Sequence, residues 1–261
     1  MTLTHEAAEL ADRLAEARRA GRQIRDLAAA LVPATAAAAY EINAAVAGRL
    51  GWAQLGWKIA ATTPDMQRRL RTAEPIYGRT FAQFRVPSPA RFVHAGLLDP
   101  LIECEFFFTL AHALPARPEP YSADEVRDAV GACHAGVEVA ECRFPLDGLP
   151  PIPAILADGA ASGRYVVGPQ ITDWRSCDLG AMPVTLAVNG RLRRTGSGRE
   201  VMGDPINPLV WLANQRSAVG DGLAAGAMIS TGTATGMLLA VRGDTMRATF
   251  GGDIAVDLAF I

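Results

Sequence analysis

The sequence predicts a mixed α+β fold, with a helical segment over residues 1–51 and a β-rich body over residues 52–261. Apolar residues recur at about the helical period through the first 50 positions. From about residue 52 the texture changes to short β-prone runs broken by glycine and proline. These runs do not alternate regularly with helices, so a mostly antiparallel or mixed sheet is expected rather than a βαβ array.

Thr4 caps a first helix whose apolar positions are Ala8, Leu10, Leu14 and Ala17, ending near Gly21. A second helix starts by Thr35 after Pro33, and its alanine-rich run ends near Gly51. Ser122 and Glu125 form a capping box ahead of Val126, Ala129, Val130 and Cys133, with His134 finishing that helix. The chain then enters a strand carrying Glu138. Asp204 caps a later helix with Pro205 at its first position and Gly220 past its end. Asn189-Gly190 marks a hairpin turn, and Ile254, Val256, Leu258 and Phe260 alternate along a half-buried strand.

The balance of 25 basic and 27 acidic residues leaves no footprint for nucleic acid or an anionic membrane. No run approaches the roughly 18–20 apolar residues that span a bilayer, and the N-terminus does not read as a secretory signal. Cys104, Cys133, Cys142 and Cys177 lack zinc-like spacing and suit a reducing cytoplasm. The four histidines show no paired ligand spacing, and neither a P-loop nor a dinucleotide-binding glycine pattern occurs.

Glu103, Glu105 and Glu138 each interrupt an apolar β-prone run. Strand alternation puts Glu103 and Glu105 on one face, together with Phe107. Two carboxylates forced together repel until one takes a proton or a cation intervenes. Oxygen-only ligands favour Mg²⁺, Mn²⁺ or Ca²⁺ over zinc. The alternative is a solvated strand face. Lys58 lies between Trp57 and Ile59 in a strand-like segment. Turned inward, it would have its pKa depressed by desolvation and be readied for proton transfer, or it would pair with a substrate carboxylate. Turned outward, it is an ordinary surface lysine. Arg143 either orients the metal-ligand carboxylates or makes a structural salt bridge, and Glu141 is expected at the surface. The small residues Thr231, Gly232 and Thr233 form a loop whose N–H groups suit an anionic substrate.

GWKIAATT with Lys58, EPIYG at 74–78, IECE at 102–105, VEVAECR at 137–143, ADGAASG at 157–163, GSGREVMGDP at 196–205 and STGT at 230–233 follow one another in order. In that order they resemble the 2-keto-4-pentenoate hydratase and 4-oxalocrotonate decarboxylase group of the fumarylacetoacetate hydrolase superfamily. The resemblance implies a folded-over β-roll or sandwich with flanking helices, and a site in its open mouth. It places a divalent metal, Mg²⁺ or Mn²⁺, on Glu103, Glu105 and Glu138. It makes Lys58, Arg143 and Asp158 the catalytic candidates and Ile76, Ser162, Thr231 and Gly232 the substrate contacts. Gly159 and Ala161 replace the family's usual asparagine and serine, with Ser162 as the substitute for the latter. Ile76 stands where hydratases of the group carry an acid. The implied activity is a lyase on a small 2-oxo acid, with hydratase first and decarboxylase second. A homo-oligomer, or association with a related hydratase or decarboxylase, also follows from the resemblance. A chain that mainly scaffolds an active relative is the remaining alternative.

Overall fold

Threonine caps start both N-terminal helices. The Thr4 hydroxyl accepts from the Ala7 N–H to open α1 (His5–Ala20), and Thr35 does the same for Ala38 at α2 (Ala36–Leu50). Both helices stop at glycines in the left-handed conformation, Gly21 and Gly51. The structure is a computed structural model describing residues 3–261. After α2 the chain runs through β1 (Gln54–Ala60), α3 (Pro64–Leu70), β2 (Ile76–Phe81), β3 (Arg85–Pro87), β4 (Ala90–Phe92) and β5 (Leu101–Leu110). It continues as α4 (Ala123–Ala129), β6 (Val130–Ala140), α5 (Ile152–Ala157), β7 (Arg164–Gln170), β8 (Pro183–Val188) and β9 (Arg191–Ser197). It closes with α6 (Ile206–Ala218), β10 (Met228–Ser230), β11 (Leu238–Leu239), β12 (Thr245–Phe250) and β13 (Ile254–Phe260).

The strands make two mixed sheets. One runs β2-β1-β10-β5-β6-β7-β3, with β11 also on β5; the other runs β4-β13-β12-β8-β9. Alternation along β5 decides what each face does. Ile102, Cys104, Phe106 and Phe108 enter the large core cluster shared with Val184, Leu186, Phe250, Val256 and Leu258 of the second sheet. Phe106 and Phe250 meet edge-to-face there, 5.4 Å between centroids. Each such ring stabilises the fold by roughly 2–3 kcal/mol through burial. Glu103, Glu105 and Phe107 therefore occupy the other face. On that face α1, α2 and α5 share an apolar cluster with Ile76, Phe81, Cys142 and Phe144.

Strand pairing of β5 with β6 sets the register of the site. Glu103 stands directly opposite Glu138, and Glu105 opposite Gly136. A Cβ on Gly136 would sit 2.4 Å from the Phe107 ring, so the ring fills the space that a side chain would need.

Three local expectations are corrected. The capping-box helix ends at Ala129, and Val130 and Cys133 belong to β6. Long pairing with β5 captures those residues, overriding local helical pattern. His134 consequently lies in the strand opposite Phe107, its Nδ1 3.2 Å from the Gly168 carbonyl oxygen, rather than at a helix end. Pro205 precedes α6 rather than opening it, although the Asp204 carboxylate accepts the Ile206 N–H at 2.8 Å, which is the capping role expected of it. Asn189 and Gly190 both take positive φ in the β8–β9 hairpin, as their sequence predicts.

Candidate metal centre

Three strands deliver four ionisable side chains to one buried point. Glu103 and Glu105 come from β5, Glu138 from β6 and Lys58 from β1, and Glu105 and Glu138 are fully buried. Ligand oxygens of the three carboxylates lie within 4.8 Å of one another. Lys58 turns inward, only 2 % exposed. Its Nζ is 3.2 Å from Glu138 Oε1 and 3.9 Å from Glu103 Oε2, and it donates to the Ala160 carbonyl at 3.1 Å.

Like charges directly opposed across a strand pair destabilise it, and here the pair is out of water as well. Burial raises all three carboxyls. Glu138 is pushed up to about 7, with Lys58 opposing and Glu103 adding to the rise. Burial, then Glu138 and Glu103, hold Glu105 well above the usual carboxylate range, and burial likewise raises Glu103 against the pull of Lys58. Lys58 behaves in the opposite sense to the sequence-based expectation. Burial disfavours its charge, but Glu138, Glu103 and Glu105 together outweigh that and raise its pKa. The surrounding carboxylates thus favour its ammonium form over a depressed amine.

One lysine does not balance three carboxylates. Glu105 Oε1 is buried with no hydrogen-bond partner among the described residues, while its Oε2 accepts the Gly232 N–H at 3.1 Å. An orphaned carboxylate oxygen amid two further carboxylates is the donor set of a hard divalent cation, so the residues present fit Mg²⁺ or Mn²⁺.

The remaining expected site residues fall in a surrounding layer. Arg143 does not reach the three glutamates. Its Nε pairs with Asp158 Oδ1 at 2.8 Å, and its Nη2 donates to the Ser162 carbonyl at 2.8 Å. Asp158 also accepts the Arg143 N–H and lies 3.3 Å from Arg18, so both of its oxygens are occupied. Of the two roles open to Arg143, the geometry shows the salt bridge. Arg143 and Asp158 together clamp the 157–163 loop, in which Gly159, Ala160 and Ala161 all take positive φ and Ala160 presents its carbonyl to Lys58. Ser162 Oγ is 2.9 Å from the Tyr165 hydroxyl, which donates to Glu138 Oε1 at 3.3 Å. The Thr231 hydroxyl donates to the Phe106 carbonyl at 3.0 Å, and the Gly232 N–H is taken by Glu105, so that N–H braces the centre instead of standing free for an anion. Ile76 shares an apolar cluster with Ala61, Ala157 and Ala160, paired with Ala60 on β1. Glu141 is not on the surface: it is buried, accepting the Leu98 N–H and pairing with Arg164 at 3.1 Å.

Sequence reasoning missed Tyr165 and Ser230, whose hydroxyl donates to Glu138 Oε2 at 3.4 Å. Tyr165 faces Glu138 through the β6–β7 register, which no local pattern announces. A plain signal for Lys58 was overlooked as well. It is the only lysine in the chain; every other residue among the 25 basic ones is an arginine.

A folded pair of mixed sheets carrying a buried, oxygen-only donor set on central strands defines a class of scaffold for divalent-cation chemistry. The Fumarylacetoacetate (FAA) hydrolase C-terminal family pattern matches residues 75–258. A 2-keto-4-pentenoate hydratase of Burkholderia vietnamiensis is 31% identical over 238 residues, covering 90% of this chain and 89% of that protein. A 4-oxalocrotonate decarboxylase of a Pseudomonas species is 28% identical over 210 residues, 79% of this chain and 77% of that one. The solved 4-oxalocrotonate decarboxylase of Pseudomonas putida, complexed with magnesium and adipate, superposes with a TM-score of 0.90 at 26% identity, covering 100% of this chain and 99% of that one. The chain belongs to the fumarylacetoacetate hydrolase family.

Proposed function

We propose that the chain is a divalent-metal-dependent lyase for small 2-oxo acids, hydrating a 2-keto-4-pentenoate-type substrate. One observation carries the reading: three buried carboxylates with a single buried ammonium among them, an arrangement that is costly for folding and suited to holding a cation. Bound Mg²⁺ or Mn²⁺ would supply Lewis-acid polarisation of the substrate's 2-oxo and carboxylate oxygens. Glu103, Glu105 and Glu138 hold it in this reading. Gly232, Ser230 and Tyr165 orient those carboxylates by donating to them.

Lys58 moves or holds the proton. Two of its N–H groups point to Glu138 Oε1 and the Ala160 carbonyl. Glu103 Oε2 at 3.9 Å lies beyond hydrogen-bond reach, so the third N–H remains for a substrate carboxylate or for proton delivery at carbon. Arg143 and Asp158 act as positioning residues through the Ala160 carbonyl, while Ser162 acts through Tyr165. Within this division of labour, residues 1–51 pack against the site's outer side and residues 52–261 carry the chemistry. Four unpaired cysteines, three of them buried, support a reducing, cytoplasmic setting.

Decarboxylation of 4-oxalocrotonate is the second reading. It is favoured by the full-length superposition on the magnesium-bound decarboxylase and by the apolar Ile76. Purified protein with Mg²⁺ should consume 2-keto-4-pentenoate with water addition. Carbon dioxide release from 4-oxalocrotonate without hydration would select the second reading, and turnover of neither would end both.

The raised Glu138 pKa gives a signed pH dependence. Its folded pKa of about 7 exceeds the ordinary 4.5, so the cation-free chain has this stability below about pH 4.5 and loses it as pH rises through about 7. Cation binding needs the deprotonated carboxylate. The gain in melting temperature on replacing EDTA with Mg²⁺ should therefore grow between about pH 5 and about pH 8. A gain that is flat or shrinks over that range would remove Glu138 from the cation site.

A further inference from the structure

Trp57 neighbours Lys58 along β1 and so points to the opposite sheet face. There it lines a cavity of about 460 Å³ that does not include any of the three glutamates. Arg79, Arg216, Asp221, Leu55, Ala224 and Ala225 share the lining. Both guanidiniums lie over the Trp57 ring, Arg216 at 4.4 Å and Arg79 at 4.8 Å from its centroid. Arg216 is 4 % exposed, pairs with Asp221 and donates to the Tyr77 hydroxyl at 3.3 Å, and its buried Nε has no partner among the described residues. Among the described residues the Arg79 guanidinium donates only to the neutral Asn43 amide oxygen, at 3.2 Å. Burial first, and the facing Arg216 second, hold the Arg79 guanidinium below its ordinary value. Two guanidiniums over one ring, with the single lining carboxylate Asp221 paired to Arg216, leave an excess of one positive charge in a partly desolvated cavity.

We propose that this cavity is a second ligand site, binding a small monoanionic carboxylic acid with an apolar body. The volume falls in the range of small-molecule sites, roughly 300–1,000 Å³. The Arg79 guanidinium supplies charge-assisted donors for one carboxylate, Arg216 adds positive charge beside it, and Ala224 and Ala225 supply apolar wall. The site is independent of the metal centre and of any reaction assigned to it.

Calorimetric titration of the full chain in EDTA tests this, with benzoate as the probe, benzamide as its neutral counterpart and inorganic phosphate as a rival anion. Benzoate should bind, benzamide should not, and phosphate should not displace it. Arg79→Gln should weaken benzoate at least about tenfold. Ala225→Glu leaves both arginines in place and adds a negative charge at an exposed position of the lining, so it should weaken benzoate similarly even if Arg79→Gln folds poorly. Glu105→Gln should leave binding unchanged. The proposal is overturned by absence of benzoate binding, by parent-like binding in both cavity variants, by preference for phosphate, or by loss of binding in Glu105→Gln. It is equally overturned if Ala225→Glu alters sedimentation while no anion binds, which would make the cavity a contact between copies of the chain.

Discussion

Replacing Glu105 with glutamine is expected to abolish cation binding and turnover while making the cation-free chain more stable. The two effects have opposite signs because the same charge causes both. Glu105 is fully buried, pushed well above its usual pKa, and carries the orphaned Oε1. Neutralising it removes repulsion toward Glu103 and Glu138 and keeps an acceptor for the Gly232 N–H. Relief of a buried charge conflict is worth about 1–3 kcal/mol, or several degrees in melting temperature for a chain of this size. Loss of a charged ligand should weaken Mg²⁺ by at least about a hundredfold, beyond the effect of losing a residue that merely supports a ligand. Glu103→Gln and Glu138→Gln should follow the same pattern. Melting curves in EDTA and calorimetric Mg²⁺ titrations measure both sides. Three variants that bind Mg²⁺ like the parent would refute the assignment.

Lys58→Met should show the converse. It removes the one buried cation beside three carboxylates, which leaves an uncompensated charge cluster. In EDTA the variant should lose about 3–5 kcal/mol of stability. Saturating Mg²⁺ should restore folding, because a dication supplies the missing countercharge. Turnover should nevertheless fall by about 10²–10⁴, the range for a lost proton-transfer group. Lys58→Arg should not rescue it, since a planar guanidinium cannot occupy a closed pocket shaped for an ammonium held at 3.2 Å and 3.1 Å by Glu138 and Ala160. The measurement is kcat in saturating Mg²⁺. An unchanged value there would leave Lys58 with a structural role alone.

Much of this centre was legible in the chain because its geometry is local. The i, i+2 spacing of Glu103 and Glu105 fixes their common face wherever the strand lies. Caps and turns were legible for the same reason: Thr4, Thr35, Ser122 and Asn189-Gly190 each act within four residues. The partners of the carboxylates were not legible. Tyr165 reaches Glu138 through a register between β6 and β7, and Arg143 finds Asp158 across a loop rather than Glu138 five residues back. Lys58 was placed inside correctly as an option, but the direction of its pKa depends on how many carboxylates surround it, which only the assembled sheet fixes. The end of α4 was misjudged because the apolar periodicity of Val130 and Cys133 satisfies helix and strand alike.

The Phe107 ring over Gly136 has a consequence for how the chain finds its alignment. Strands usually hold register through side chains that attract, whereas here the facing pair Glu103 and Glu138 pushes apart. A shift of one residue would bring the Phe107 ring against the methyl of Ala135 or the branches of Val137, where the vacant space at Gly136 no longer receives it. The aromatic ring and the missing side chain thus act as a mechanical key. They allow a repelling pair to be set face to face before any cation arrives to reconcile it.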